Sequence, residues 1–183
     1  MYDLKFLRLH LESYWGKSSG RELRIPDPHN KMPLAFRVME FPPSNIHNFW
    51  IYSTLGMSLD MTENLLELHI FSAKQDVSLA ELLTITASFH RNDIPLDLHH
   101  SVSIGRPWQD KSLCDYTFIS LPYLDGGELE IFSFSDKHLH NLWLLPITKQ
   151  ERDFKMRHGW NALEEKFEEC NLNYLDANRD SCI

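Results

Sequence analysis

Apolar residues recur at helical spacing at the start of the chain. These positions are Leu4, Leu7, Leu11, Tyr14 and Trp15. Steps of three or four residues place them on one face of an α-helix. Gly16 follows directly, and glycine is common at the end of a helix. The pattern therefore predicts an amphipathic N-terminal helix that ends at Gly16.

The next apolar segments favour β-strands. The prolines of "RIPDPHNKMP" favour an extended loop, after which "LAFRVMEF", "NFWIYSTLGMS" and "ENLLELHIFS" have the composition of strands. The first of these strands stops at Pro42 and Pro43, because proline cannot donate a hydrogen bond within a sheet. The short polar segment "LDMTEN" between the other two predicts a hairpin.

A helical period returns at residues 78–90. Ser78 and Glu81 have the spacing of a capping box, in which each side chain satisfies a backbone N–H group at the start of a helix. We expect this helix to begin with that box.

Four further strands are expected in the second half of the chain. They are "SVSIG", "LCDYTFISL", "LEIFSFS" and "LHNLWLL". The segment "LDGGE" is interpreted as a hairpin turn between the second and third, and it lacks the helix N-terminus of a phosphate-binding loop. Pro146 is expected to end the last strand.

Two helices are predicted after Pro146. Thr148 and Glu151 have the spacing of a second capping box, and Gly159 is placed to end that helix as a left-handed C-cap. The last helix has one apolar face, formed by Trp160, Leu163 and Phe167.

The order of these elements favours an α+β fold. We expect a mixed, largely antiparallel sheet with helices packed on it as an α/β sandwich, an N-terminal helix and two C-terminal helices. The chain has 183 residues, of which 43% are hydrophobic, and this suffices for a single domain over residues 1–183. No apolar run approaches the roughly 20 residues of a membrane span, and charges interrupt the N-terminal segment, unlike a signal peptide.

The negative charge is concentrated in the middle of the chain. The net charge is −8, and residues 59–135 hold four Lys or Arg against twelve Asp or Glu. Such a surface repels phosphates, so nucleic-acid binding is not expected. It favours a basic protein partner, unless the charge serves solubility alone.

Three cysteines, Cys114, Cys170 and Cys182, form no close pair in the sequence. This fits a protein of the reducing cytoplasm with buried or idle thiols. Cys114 lies within a predicted strand, where a thiol is more typical of a core than of a nucleophile.

Histidines offer one possible metal site. His138 and His140 share a face of a predicted strand, and His99 and His100 precede another. Three such ligands could hold zinc with an open position for water, as in a metal-dependent hydrolase. No HExxH motif or cysteine pair accompanies them, so they are otherwise interpreted as surface or hydrogen-bonded residues.

Two other features have a structural and a functional interpretation. The pairs Glu164-Glu165 and Glu168-Glu169 are expected on the solvent side of the last helix. Trp108, in the loop "GRPWQD", is either a core residue or an exposed anchor for a partner, since tryptophan is enriched in binding hot spots.

Three stretches together resemble the Suppressor of Fused-like domain family. They are "FPPSNIHNFWIYSTLGMS", "LPITKQERDFKMRHGWNAL" and "LDANRDS". Ala177, in the third stretch, stands where the family usually has proline. The matching residues are Pro43, Trp50, Gly56, Met57, Ser58, Pro146, Thr148, Glu151, Gly159, Asp176 and Arg179.

The resemblance implies a domain that binds protein, catalyses no reaction and needs no cofactor. Stand-alone members of this size resemble bacterial proteins, several of which are thought to be immunity proteins that neutralise a cognate toxin. The acidic charge would suit a basic nuclease toxin. The matching residues are expected to be mainly structural, and the partner would bind either by strand addition or by surface docking.

Two other functions remain open at this point. A metal-dependent hydrolase would use His99, His100, His138 and His140, and a homo-oligomeric structural protein would need no site at all.

Overall fold

The structure is a computed structural model that describes residues 2–19, 21–27 and 32–183. Within these ranges the helices are α1 (Leu4–Trp15), α2 (Ser78–Asn92), α3 (Gly127–Glu130), α4 (Lys149–His158) and α5 (Trp160–Glu169). The strands are β1 (Glu22–Leu23), β2 (Arg37–Phe41), β3 (Trp50–Leu55), β4 (Leu66–Ser72), β5 (Ser101–Ser103), β6 (Tyr116–Ser120), β7 (Ile131–Phe134) and β8 (Lys137–Ile147). Residues 28–31 of the predicted extended loop lie outside the described residues. None of the described helices is long and apolar enough to cross a membrane.

The strands form one mixed sheet. Their order is β1-β2-β3-β4-β8-β6-β5, and β7 also pairs with β8. The central pair, β4 with β8, is parallel, and the other described pairs are antiparallel. The predicted α+β class with a largely antiparallel sheet is thus confirmed, and so is the hairpin between β3 and β4.

Helices cover both faces of the sheet. Helices α1, α3 and α5 bury side chains on one face, and α2 buries its apolar side on the other. Strand β4 is buried at every position for this reason. The buried helical residues include Leu7, Leu11, Trp15, Leu163 and Phe167 on the first face and Leu79, Leu82, Leu83 and Ala87 on the second.

The predicted capping box of α2 is wrong. Ser78 already lies in the first turn of the helix, and its N–H group donates to Oδ1 of Asp76 at 3.0 Å. The N-cap residue is Val77, whose side chain cannot cap, and the carboxylate of Asp76 just before it satisfies the Ser78 N–H group instead. Glu81 instead lies 3.6 Å from the guanidinium of Arg106.

The predicted hairpin turn at "LDGGE" is also wrong. Gly126 precedes the four-residue helix α3, and β7 then forms its hairpin with β8. Strand β6 pairs with the C-terminal part of β8, whereas β7 pairs with its N-terminal part. The chain must therefore travel along β8 between the two strands, and a tight turn cannot span that distance.

Pro146 does not end its strand, which continues to Ile147. Beyond Trp143, β8 pairs with β6 but no longer with β4. A proline is tolerated where a strand has a neighbour on one side only, because its missing N–H group need not break the ladder.

The expectation of three idle thiols is wrong for two of them. Cys170 and Cys182 form a disulfide that joins the end of α5 to the C-terminal tail. Cys114 is free and buried, and burial raises the pKa of its thiol.

A buried glutamate connects the N-terminus to the β3–β4 hairpin. Glu67 accepts the Tyr2 hydroxyl at 3.0 Å and the N–H groups of Gly56 and Met57 at 2.9 Å. The side chain is fully buried, and the loss of solvation raises its pKa to about 7 in spite of these donors.

This pKa predicts a pH-dependent stability. The folded pKa lies above the unfolded value of 4.5, so the contribution of Glu67 to the free energy of unfolding is full below pH 4.5 and is lost as the pH rises through 7. The loss amounts to about 3 kcal/mol. Urea titrations of the wild type and Glu67→Gln between about pH 5 and 8 should show the wild type weakening relative to the variant. A difference that is constant with pH would contradict the prediction.

Candidate binding site

The join between β8 and α4 is held by a capping box and a buried ion pair. Thr148 Oγ1 accepts the Glu151 N–H at 3.2 Å, and Glu151 Oε2 accepts the Thr148 N–H at 2.7 Å, which confirms the predicted box. Arg179 reaches in from the tail and donates to both Glu151 oxygens, at 2.6 and 2.7 Å. It also donates to the carbonyl of Pro146 at 3.1 Å.

The pKa shifts of Glu151 and Arg179 are those expected of a buried ion pair. Burial opposes the charge on Glu151, but the hydrogen bonds and charge of Arg179 hold the pKa of the carboxyl below its ordinary value. Burial likewise opposes the charge on Arg179, and Glu151 overcomes it and raises the pKa of the guanidinium. Both groups are charged at neutral pH, and neither is placed to exchange a proton.

The "GMS" stretch is a second structural cluster. Gly56 has φ of 88°, and a Cβ atom there would lie 3.3 Å from the Leu4 side chain. Met57 is fully buried. Ser58 Oγ donates to the Leu66 carbonyl and accepts the Leu66 N–H, each at 2.7 Å. These contacts close the turn that leaves β3.

The remaining family-motif residues lie apart from one another. Pro43 is exposed and Trp50 is half-buried, packed on the α2 face. Gly159 separates α4 from α5 with a φ of 91°, but its ψ of 167° is not left-handed helical. Asp176 Oδ1 accepts the Asn178 N–H at 2.9 Å, which shapes the turn before the tail.

The histidines near β5 make unrelated contacts. The ring of His99 stacks on Trp160 at 3.6 Å between centroids and 8° between planes. His100 Nδ1 accepts the Asp97 N–H at 3.2 Å. The two rings therefore have different partners.

The histidines of β8 are also bonded separately. His138 Nδ1 lies 2.9 Å from Ser133 Oγ, and His140 Nδ1 lies 2.9 Å from Glu130 Oε1. In the described part of the chain, no three His, Cys, Asp or Glu side chains are grouped to hold a metal ion. The structure thus does not assemble the site predicted from the four histidines.

Trp108 is not an exposed anchor. Its side chain is only 1% exposed and belongs to the core under α2. The polar loop around it is compatible with a surface position, but the indole is buried in the cluster that contains α2 and sheet residues.

A groove of about 290 Å³ lies between α5, β8 and the segment that follows α5, and we call it the α5 groove. Trp143 and Tyr174 meet edge to face at 5.2 Å within it. Its lining residues are Ser120, Tyr123, Leu124, Trp143, Leu145, Glu164, Phe167, Glu168, Asn171, Leu172 and Tyr174. The groove therefore has aromatic and aliphatic walls with acidic residues on one side.

Glu164 corrects the prediction for the acidic pairs of α5. It is half-buried, and it accepts the hydroxyls of Ser120 and Tyr123, each at 3.0 Å. Glu165, Glu168 and Glu169 are exposed as predicted. The helix thus turns Glu164 towards Ser120 and Tyr123, and its side chain stays partly exposed in the groove.

A second open surface lies at β5, one edge of the sheet. A groove of about 270 Å³ separates this strand from Leu82, Ile85 and Phe89 of α2. Ile85 is 45% exposed there. This edge matches the strand-addition mode that the sequence left open.

Sequence reasoning missed the residues of the α5 groove. Glu164, Phe167 and Glu168 recur at helical steps and so share one side of α5. That spacing could have indicated a common face. It could not indicate that Trp143 and Tyr174 lie opposite, because they are distant in the chain.

Comparisons with known proteins point to one family. A sequence model described as Suppressor of fused protein (SUFU) matches residues 33–180. The crystal structure of a SUFU homolog from Neisseria gonorrhoeae FA 1090 shares 31% identity and a TM-score of 0.83, over 98% of this chain and 96% of that one. No curated protein matches the chain.

Two more distant structures share the fold. The crystal structure of a Sufu–Fu complex has 13% identity and a TM-score of 0.69, over 98% of this chain and 91% of that one. Drosophila Suppressor of Fused has 12% identity and a TM-score of 0.59, over 80% of this chain but 42% of that one. At these identities the likeness concerns the fold alone.

Removal of the buried cation should destabilise the protein strongly. In Arg179→Ala the buried Glu151 loses its partner, and we expect a loss of about 3–5 kcal/mol in the free energy of unfolding, measured by urea titration. Lys149→Ala, which breaks an exposed ion pair with Asp153 on the same helix, is the control and should have little effect. Equal effects of the two changes would contradict the structural role of Arg179.

The disulfide should hold one wall of the α5 groove. It closes a loop with a sequence separation of 12, and this loop contains Asn171, Leu172 and Tyr174. The double variant Cys170→Ser/Cys182→Ser should lose about 3 kcal/mol of stability and exchange amide hydrogens faster over residues 170–182. Reductant should bring the wild type to the same state and leave the variant unchanged. A wild type whose stability does not respond to reductant would contradict this.

Proposed function

The chain belongs to the Suppressor of fused family, and we propose that it is a single domain over residues 1–183 that binds a protein partner and catalyses no reaction. The observation that carries the proposal is the α5 groove, which is lined by aromatic and aliphatic side chains with acidic residues at its edge. Aromatic residues are enriched where proteins bind one another. A protein of the same fold is known from a Sufu–Fu complex, which supports a binding role.

We propose further that the domain is a bacterial immunity-type antitoxin, and that its partner is a basic toxin, such as a nuclease. The support is electrostatic: the chain carries a net charge of −8, and residues 159–183 hold two Lys or Arg against six Asp or Glu. Such a field attracts a basic protein and speeds its association. A nuclease that binds phosphates is expected to be basic.

The proposed location is the cytoplasm, as expected from the sequence. The Cys170–Cys182 disulfide is more typical of oxidising compartments. The location therefore stays a prediction.

The partner could bind at either of two surfaces of the domain. Strand addition would use the outer edge of β5, which has no strand partner among the described residues, and surface docking would use the α5 groove. The acidic residues line the α5 groove, so docking there fits a basic partner better.

Co-expression tests the proposal directly. The protein encoded beside this chain's gene is expressed alone and with the chain, and we expect growth arrest in the first case and growth in the second. The purified pair should form a stoichiometric complex whose association rate falls as salt is raised.

The control is the variant Lys149→Ala, which removes an exposed charge from a position that does not line the groove. This variant should protect as well as the wild type. Growth arrest that the wild-type chain does not relieve, together with the absence of a complex between the purified proteins, would contradict the proposed function.

A further inference from the structure

The α5 groove contains carboxylates that lack a cationic partner. Glu164 is half-buried, and its two oxygens accept hydrogen bonds from neutral hydroxyls only. Glu168 lines the same groove one turn further along α5. Across residues 2–19, 21–27 and 32–183, no Lys, Arg or His forms an ion pair with either of them. The negative charge of this groove is therefore not neutralised within the described chain.

Two tyrosines in the groove lie close to carboxylates. Partial burial, the charge of Glu164 and its hydrogen bond raise the pKa of Tyr123 to about 12, and Glu168 adds to the effect. Burial and the charge of Asp125 raise the pKa of Tyr174. Carboxylates thus act on the groove from α5 and from the loop after β6.

The walls of the groove suit a flat, positively charged group. Trp143 and Tyr174 stand perpendicular to each other, and Phe167 packs beside them. Trp143 is 6% exposed, and its indole N–H finds no acceptor among the described residues. The groove therefore combines aromatic walls with carboxylates that no described cation pairs with.

We propose that the α5 groove binds an arginine side chain of the partner protein, presented on an extended segment. A guanidinium is planar, stacks on aromatic rings and can donate two parallel hydrogen bonds to a carboxylate. A lysine ammonium is more strongly hydrated and does not pair in this way. The inference rests on the proposed binding function and names the chemistry of the contact.

Short peptides test the groove without the partner. The probes are Ac-Ala-Arg-Ala-NH2, its lysine analogue and its citrulline analogue, which keeps the shape of arginine but carries no charge. Binding is followed by NMR shifts of the tryptophan indole signals, with Trp143 assigned through Trp143→Phe. We expect saturable binding of the arginine peptide at about 1–10 mM, weaker binding of lysine and none of citrulline.

Paired glutamine variants locate the binding. Glu164→Gln/Glu168→Gln removes the two groove charges but keeps acceptor oxygens for Ser120 and Tyr123, so the fold should persist, as checked by thermal unfolding. It should bind the arginine peptide about tenfold more weakly than the wild type. The matched control, Glu165→Gln/Glu169→Gln, removes the same charge from positions of α5 that do not line the groove, and it should bind as the wild type does.

Three results would overturn the inference. They are equal binding of the citrulline peptide, equal weakening by both glutamine pairs, and no saturable shift up to about 20 mM of the arginine peptide. Wild-type affinity of Glu164→Gln/Glu168→Gln for the toxin would also overturn it, while the proposed binding function would stand. Conversely, if the chain binds the arginine peptide but protects against no toxin, the proposed function is contradicted and the inference about the groove stands.

Discussion

The buried pair of Glu151 and Arg179 is the constraint on which the C-terminal half of the structure depends. The guanidinium fixes the tail against the start of α4, and the Cys182 N–H donates to the same carboxylate at 3.0 Å. The disulfide ties Cys182 to the end of α5. The segment between these anchors has little freedom, so it forms a defined wall of the α5 groove. A buried ion pair that is kept in place by further hydrogen bonds serves here to fix geometry.

Local features of the fold could be predicted from the sequence, and long-range ones could not. The Thr148–Glu151 box depends on residues three apart, and its spacing alone identified it. The box predicted at Ser78 failed because Asp76 offers a competing acceptor two residues earlier. The hairpin predicted at "LDGGE" is wrong because β7 pairs with β8 and not with β6, and this pairing depends on the whole sheet. For Trp108 the sequence left a core and an exposed position open, because its loop is polar, and the structure buries the indole in the core cluster that includes α2.

The family motif and the candidate site involve different residues. The motif residues with described contacts close turns, cap α4 or pair with Arg179, whereas none of them lines the α5 groove. Resemblance could therefore identify the scaffold but not the binding surface. The groove joins parts of the chain as distant as Ser120 and Tyr174, and only the folded sheet brings them together.

Hydrogen exchange of the chain, free and in complex with its partner, tests most directly whether the partner docks in the α5 groove. We expect slower amide exchange on binding over residues 120–124 and 164–174, which supply the loop and helix sides of the groove. Protection confined to β5 and α2 would instead place the partner at the sheet edge and contradict the account.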